Sequence, residues 1–262
     1  IWIGKNAILG YYDIVDRVRF DPSATSVKYR QMNFCQSVDE VVIHEGIRDI
    51  QSYGISAENN TEIELPASLD YLDSYALSNK SYRKIIFKNP EGWMIGGEPI
   101  DSEILSDPVS AAALYDEKKG SFLYRVQDER DCVAAFQSDI WIESSLSSPL
   151  ENYSCYQTQM ERTTYSGASF KIVFLNDGDH TIYIRHDSPC EEDYITVSEL
   201  NSSTEFYKCS TASFGNSLAS YDAVTYEGVK AGDYCNVMFQ INGSSAEHGE
   251  GYVLVQDKVK VV

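Results

Sequence analysis

Val18-Arg19-Phe20, Val41-Val42-Ile43, Ile63-Glu64-Leu65 and Ile85-Ile86-Phe87 are short apolar runs whose first residues stand 23, 22 and 22 positions apart. A unit of that length is too small to bury a core alone and must stack on its neighbours. The spacing predicts a mostly β front half over residues 1–126: a short right-handed solenoid of parallel strands, with each run forming one rung of a single ladder. Alternation within a rung sends Val18 and Phe20 inward and Arg17 and Arg19 outward. The echo extends past the strands. Val27, Ile50 and Leu72 each follow nine residues after a strand start, and Gln31-Met32, Gly54-Ile55 and Ala76-Leu77 occupy the next corresponding place.

Both ends of this array carry signals. Ile3-Gly4-Lys5-Asn6-Ala7-Ile8 reads as the back half of a coil whose strand would precede Ile1. That predicts either further coils upstream or Trp2 folding over the open end. At the other end, Asp107 is placed to cap a helix and Pro108 to occupy its first position. Ala111, Ala112 and Ala113 continue the helix toward Gly120. Phe122-Leu123-Tyr124 reads as a last strand.

Beyond residue 126 the beat is lost, which sets a second domain at 127–262. Alternating runs replace it: Ser169 to Phe174, Thr181 to Arg185, Tyr194 to Val197, Tyr234 to Phe239, Gly251 to Val255 and Val259 to Val262. Asn176-Asp177-Gly178-Asp179 reads as a hairpin turn between the first two. Short strands separated by such turns predict an antiparallel β-sandwich.

Composition narrows function. With 40 acidic against 21 basic residues the formal charge is −19, a field that repels phosphate backbones and argues against nucleic-acid partners. No apolar run approaches the ~20 residues of a membrane span. Among the six cysteines, Cys35 fits the interior of a coil. Cys132, Cys155, Cys190, Cys209 and Cys235 lack the C-x-x-C spacing of a zinc site and leave room for one or two disulfides whose pairing is open.

The outward rung positions form two rows, Arg17, Glu40, Glu62, Lys84 and Arg19, Val42, Glu64, Ile86. Arg17–Glu40 and Glu62–Lys84 attract, whereas Glu40–Glu62 repel. A solvated face with compensated charges and a ligand surface both fit this pattern, and Val42 and Ile86 face outward without an internal reason. Asp187, Glu191, Glu192 and Asp193 could hold Ca²⁺, although Pro189 and Cys190 interrupt them and the loop signature is missing. Trp141, between Ile140 and Ile142, faces outward if the isoleucines are core; it then serves either as packing between domains or as a stacking platform for a sugar. His44, His180, His186 and His248 show no metal-ligand spacing, and no G-x-S-x-G occurs. No catalytic residue, metal or cofactor is expected.

Cys35-x-x-Val38-x-x-Val41, Leu65-Pro66-Ala67-Ser68-Leu69-x-x-Leu72 and the Ile3-Gly4-x-x-Ala7 pattern resemble the BspA-like leucine-rich repeats of bacterial, Bacteroides-type surface proteins. The Gly92-Trp93 and Asp107-Pro108 cap is similar to the way such arrays close. Ile182 to Arg185, Asp193-Tyr194, Ser198-Glu199-Leu200 and Gly249 to Leu254 look like the β domain that follows these repeats. The resemblance implies a secreted or surface-anchored, non-enzymatic monomer. Its partner would be a host or matrix protein, met through the repeat face, or a glycan, met through the second domain.

Overall fold

The computed structural model describes residues 1–4, 9, 14–35, 37–57, 61–78, 82–126, 131–136, 141–144, 146–158, 167–188, 190, 192–242 and 249–256. Two units divide it, Ile1–Val126 and Gln127–Val262.

In the first unit the strands are β1 (Trp2–Ile3), β2 (Ile14–Phe20), β3 (Ser26–Val27), β4 (Met32–Cys35), β5 (Ser37–Val42), β6 (Asp49–Ile50) and β7 (Ile55–Ala57). There follow β8 (Glu62–Leu65), β9 (Tyr71–Leu72), β10 (Leu77–Ser78), β11 (Lys84–Phe87), β12 (Trp93–Ile95) and β13 (Glu98–Pro99). Two helices, α1 (Ser102–Ser106) and α2 (Pro108–Glu117), precede β14 (Leu123–Arg125).

The expected solenoid, one continuous ladder of parallel rungs, is not what these strands form. β2 and β5 pair in parallel within a sheet ordered β1-β2-β5, while β8 and β11 pair in a separate two-stranded sheet. The ladder breaks where two like charges meet. Arg17 pairs with Glu40 inside the first sheet, and Lys84 Nζ lies 2.8 Å from Glu62 inside the second. Across the break the like-charged Glu40 and Glu62 are left facing the same space, an arrangement that destabilises cross-strand pairing. The other strands form a small parallel sheet, β10-β7-β4, and a mixed one, β13-β12-β14-β9-β6-β3, in which β14 runs antiparallel to β9. The N-terminus also departs from expectation. Trp2–Ile3 is itself a strand, parallel to Arg19–Phe20, so the strand of that coil lies within the chain rather than upstream of Ile1, while residues 5–8 of the expected back half lie outside the described residues.

The core of this unit joins the sheets through Val18, Phe20, Val41, Ile63, Leu65, Ile85 and Phe87 with the helix residues Leu105, Ala111 and Tyr115. At one corner Arg30, Tyr53 and Tyr75 adopt left-handed φ of 51°, 56° and 59°. That conformation costs a side-chain-bearing residue about 1–2 kcal/mol. Tyr53 and Tyr75 stack with ring centroids 5.7 Å apart, which offsets part of it. Asp107 Oδ1 accepts from the Val109 and Ser110 amides at 2.9 and 2.8 Å, starting α2. From α2, buried Tyr115 accepts a hydrogen bond on its hydroxyl oxygen from the Leu77 amide at 2.9 Å. Replacing Tyr115 with Phe strands that amide, and urea unfolding should show a loss of about 1–3 kcal/mol; an unchanged midpoint would remove α2 as a clamp on β10.

In the second unit the strands are β15 (Cys132–Phe136), β16 (Trp141–Glu143), β17 (Tyr153–Thr158), β18 (Gly167–Phe174) and β19 (Gly178–His186). After them come β20 (Tyr194–Ser198), β21 (Glu205–Cys209), β22 (Asp222–Val229), β23 (Tyr234–Gln240) and β24 (Gly251–Gln256). Two five-stranded antiparallel sheets result, ordered β15-β18-β23-β20-β21 and β16-β17-β24-β19-β22. Phe170, Ile172 and Phe174 from the first share a core with Ile182, Ile184, Val224 and Val253 from the second. The hairpin expected at Asn176 to Asp179 does not form, because β18 and β19 belong to different sheets. Asp177 instead ties the crossing to the β22–β23 turn, accepting from the Ala231 amide at 2.9 Å and Lys230 Nζ at 2.8 Å. Val259 to Val262 lie outside the described residues.

Candidate functional site

The break between β5 and β8 opens a groove of about 380 Å³ on the outward face of the first unit. Its lining includes Glu40, Val42, Glu62, Glu64 and Ile86 from the two expected rows, with Val41, Ile43 and Ile63 from the strands' inner set. Val42 and Ile86 are half-buried, so their outward aliphatic surface remains in reach of a ligand.

The remaining row members lie outside this lining. Arg17 is paired with Glu40, and Lys84 with Glu62. The Arg19 guanidinium lies 5.6 Å from the Trp2 ring centroid. Three further lining residues, His44, Glu45 and Lys88, belong to neither expected row. A signal for two of them existed, since Asp21, His44, Pro66 and Lys88 each directly follow a rung at the same repeat interval.

Lys88 bridges two carboxylates, Glu64 at 2.8 Å and Glu45 at 3.5 Å. The hydrogen bond to Glu64, assisted by Glu45, raises its pKa. Glu45 is held below the usual carboxylate range: desolvation works against this, but the Ala67 and Ser68 amides and Lys88 outweigh it. Both groups therefore stay charged at neutral pH. The His44 ring contacts two backbone carbonyls, Asp21 O at 2.8 Å and Glu45 O at 2.7 Å, which fixes it as a wall of the groove.

The second unit gives different answers from those expected. Trp141 is 2% exposed, with its ring 4.8 Å from Phe170. The inner face of β16 takes Trp141 itself, so the solvent-facing sugar platform is absent. Cys132, Cys155, Cys190, Cys209 and Cys235 are not joined in the one or two disulfides for which the sequence leaves room. The side chain of Cys35 lies outside the described residues.

Around the proposed calcium position the acids serve the fold. Asp187 Oδ1 accepts from the Glu250 amide at 2.6 Å, and Asp193 takes the Ser188 hydroxyl and the Asn242 amide. Glu191 lies outside the described residues, among which no group of three or more metal-ligating side chains is found. Neither does any described histidine ring meet a serine hydroxyl or cysteine thiol: His180 contacts Asn176 O at 3.0 Å, and His186 is fully buried. No described helix is long and apolar enough to cross a membrane.

No family model matches the chain and no curated protein matches it, so the leucine-rich-repeat resemblance finds no support there. Among solved structures, the secreted serine protease VesC from Vibrio cholerae is similar over 52% of this chain and 35% of that one, at 12% identity and a TM-score of 0.29. The chain thus spans about a third of that protein's length. A likeness this slight carries no argument about fold or chemistry.

Burial makes His186 a titration marker for the second unit. Desolvation lowers its pKa, against the opposing pull of Asp193, Asp187 and Asp222. The unfolded imidazole, with a pKa of about 6.5, therefore takes up a proton first as pH falls. Stability should be complete above that value and decline toward pH ~5, with a slope of at most ~1.4 kcal/mol per pH unit from this group. Urea unfolding across that range should be flatter for His186→Asn than for the native chain; identical slopes would mean His186 is not buried neutral.

Proposed function

We propose that this chain is a non-enzymatic binding protein whose first unit engages a protein partner through the groove between β5 and β8. What carries the reading is the groove itself: an open space of about 380 Å³ whose accessible aliphatic surface comes from Val42 and Ile86, rimmed by Glu40, Glu62 and Glu64. Apolar surface left in a concave, polar-rimmed site marks a place where association removes it from water. The negative chain charge, −19 overall, steers cationic partners and repels nucleic acid.

An adhesive role at a host or matrix protein belongs to the same proposal. The glycan alternative has lost its candidate platform with the burial of Trp141. Hydrolysis has no assembled nucleophile and base among the described residues to support it.

The test is a displayed-peptide selection on the intact chain, counter-selected on the double variant Val42→Ser, Ile86→Ser. Neutral replacements keep the groove's charge unchanged and touch half-buried positions, so the melting temperature should hold. Peptides recovered on the native chain should bind the variant about tenfold more weakly, the ~1.4 kcal/mol expected from losing part of two buried aliphatic contacts. Peptides that bind both proteins equally would eliminate this groove as the binding site.

A further inference from the structure

Turn chemistry accounts for two asparagines of the second unit but not for the residues that follow them. Asn152 and Asn201 adopt left-handed φ of 68° and 56°, a conformation asparagine tolerates better than most side chains. Each has a serine two positions on, in Asn152-Tyr153-Ser154 and Asn201-Ser202-Ser203. Neither serine is needed for its turn. Between β20 and β21 the turn is closed by Ser202, whose Oγ accepts from the Thr204 amide at 3.0 Å and donates to Thr204 Oγ1 at 3.0 Å. Ser203 is exposed and makes no hydrogen bond among the described residues. Ser154 already belongs to β17, opposite Val255.

Asn-x-Ser/Thr, with any residue but proline in the middle, is the acceptor triplet for an N-linked oligosaccharide. Such triplets also begin at Asn59, Asn79 and Asn242, which makes five among the twelve asparagines. Serine and threonine are about a sixth of the chain, so chance alone would supply about two. Asn59, Asn79 and the residues after Asn242 lie outside the described residues, so geometry bears on Asn152 and Asn201.

Both can accept a sugar without losing an anchor. Asn152 is half-buried, and its side-chain amide makes no hydrogen bond among the described residues. Asn201 is exposed; its Oδ1 accepts from the Tyr234 amide at 3.1 Å and its Nδ2 donates to Asp233 Oδ1 at 2.6 Å. An amide nitrogen carries two hydrogens, so a sugar on one leaves the other for Asp233.

We propose that Asn152 and Asn201 are acceptors of N-linked oligosaccharide, the donor being an oligosaccharide joined through pyrophosphate to a lipid carrier. Nδ2 attacks the anomeric carbon and a carbon–nitrogen bond forms. The bond from that carbon to the phosphate oxygen breaks, the lipid pyrophosphate leaves, and the amide proton passes to a base of the transferase. Nothing is oxidised or reduced. The sugars sit on turns, where bulk and hydration disturb no strand pairing. This modification belongs to the second unit and does not depend on what the groove of the first unit binds.

The chain isolated from its natural source provides the test. Peptide-N-glycosidase acting in heavy-oxygen water converts each occupied asparagine to a labelled aspartate, which peptide mass spectrometry locates. Label at positions 152 and 201 is the expected result, and its absence from either overturns the assignment there. A second measurement leaves the asparagines, and so the turns, intact. In a secreting eukaryotic cell line, Ser154→Ala and Ser203→Ala should each abolish occupancy of the preceding asparagine, while Ser154→Thr and Ser203→Thr retain it. Sugar that survives the alanine variants would show that these triplets are not what the transferase reads.

Discussion

The like charges of Glu40 and Glu62 meet where the sheet of the first unit divides, a juxtaposition that disfavours cross-strand pairing. Each carboxylate is satisfied on its own side, Glu40 by Arg17 and Glu62 by Lys84. The outward face thus carries two attractive pairs with two like charges between them. The sheet divides there, into β1-β2-β5 and β11-β8. Residues of the inner set, Val41, Ile43 and Ile63, then take part in the groove wall. A face that would otherwise be a flat row of compensated charges becomes concave and partly apolar.

The rest of the unit holds that division in place. A shared core runs beneath both sheets through Phe20, Val41, Leu65 and Phe87, so the strands stay near each other without a ladder between them. Beyond the ends of the rungs, Glu45 accepts from the Ala67 and Ser68 amides at 3.2 Å and meets Lys88, joining the segments that follow β5, β8 and β11. On the opposite side Asp49 and Asp70 are buried and satisfied, Asp49 by Ser26 and Gln51, Asp70 by Arg48 at 2.8 Å. Buried carboxylates are tolerated only when paired in this way, and these fix the register of the mixed sheet while the groove face remains open.

How much of the fold was legible in the sequence depends on the range of each interaction. Asp107-Pro108 marked a helix start because capping is local chemistry, complete within three residues. The period from Val18 to Ile85 located the strands, and the charges at positions 40 and 62 carried the repulsion. What periodicity could not convey was that the rungs divide into several small sheets instead of one expected solenoid. In the second unit the alternating run from Phe170 to Phe174 marked a strand, but its partner was chosen by tertiary packing. The Asn176 to Asp179 turn therefore crosses between sheets instead of closing a hairpin. Trp141 was misplaced for a related reason: alternation gives two faces but not which of them is inner, and the large ring fills space beside Phe170 that the isoleucines were assumed to occupy. The groove residues were readable as a row, and Lys88 by its place after the last rung, whereas Glu45 reaches the groove only through folding.

Residue-resolved hydrogen exchange of the native chain measures the central claim most directly. If β5 and β8 are not joined, their amides turned toward the groove should exchange much faster than the amides β5 shares with β2 and β8 shares with β11. Equal protection on both sides of β5 and of β8 would mean a continuous ladder, no division at Glu40 and Glu62, and no groove.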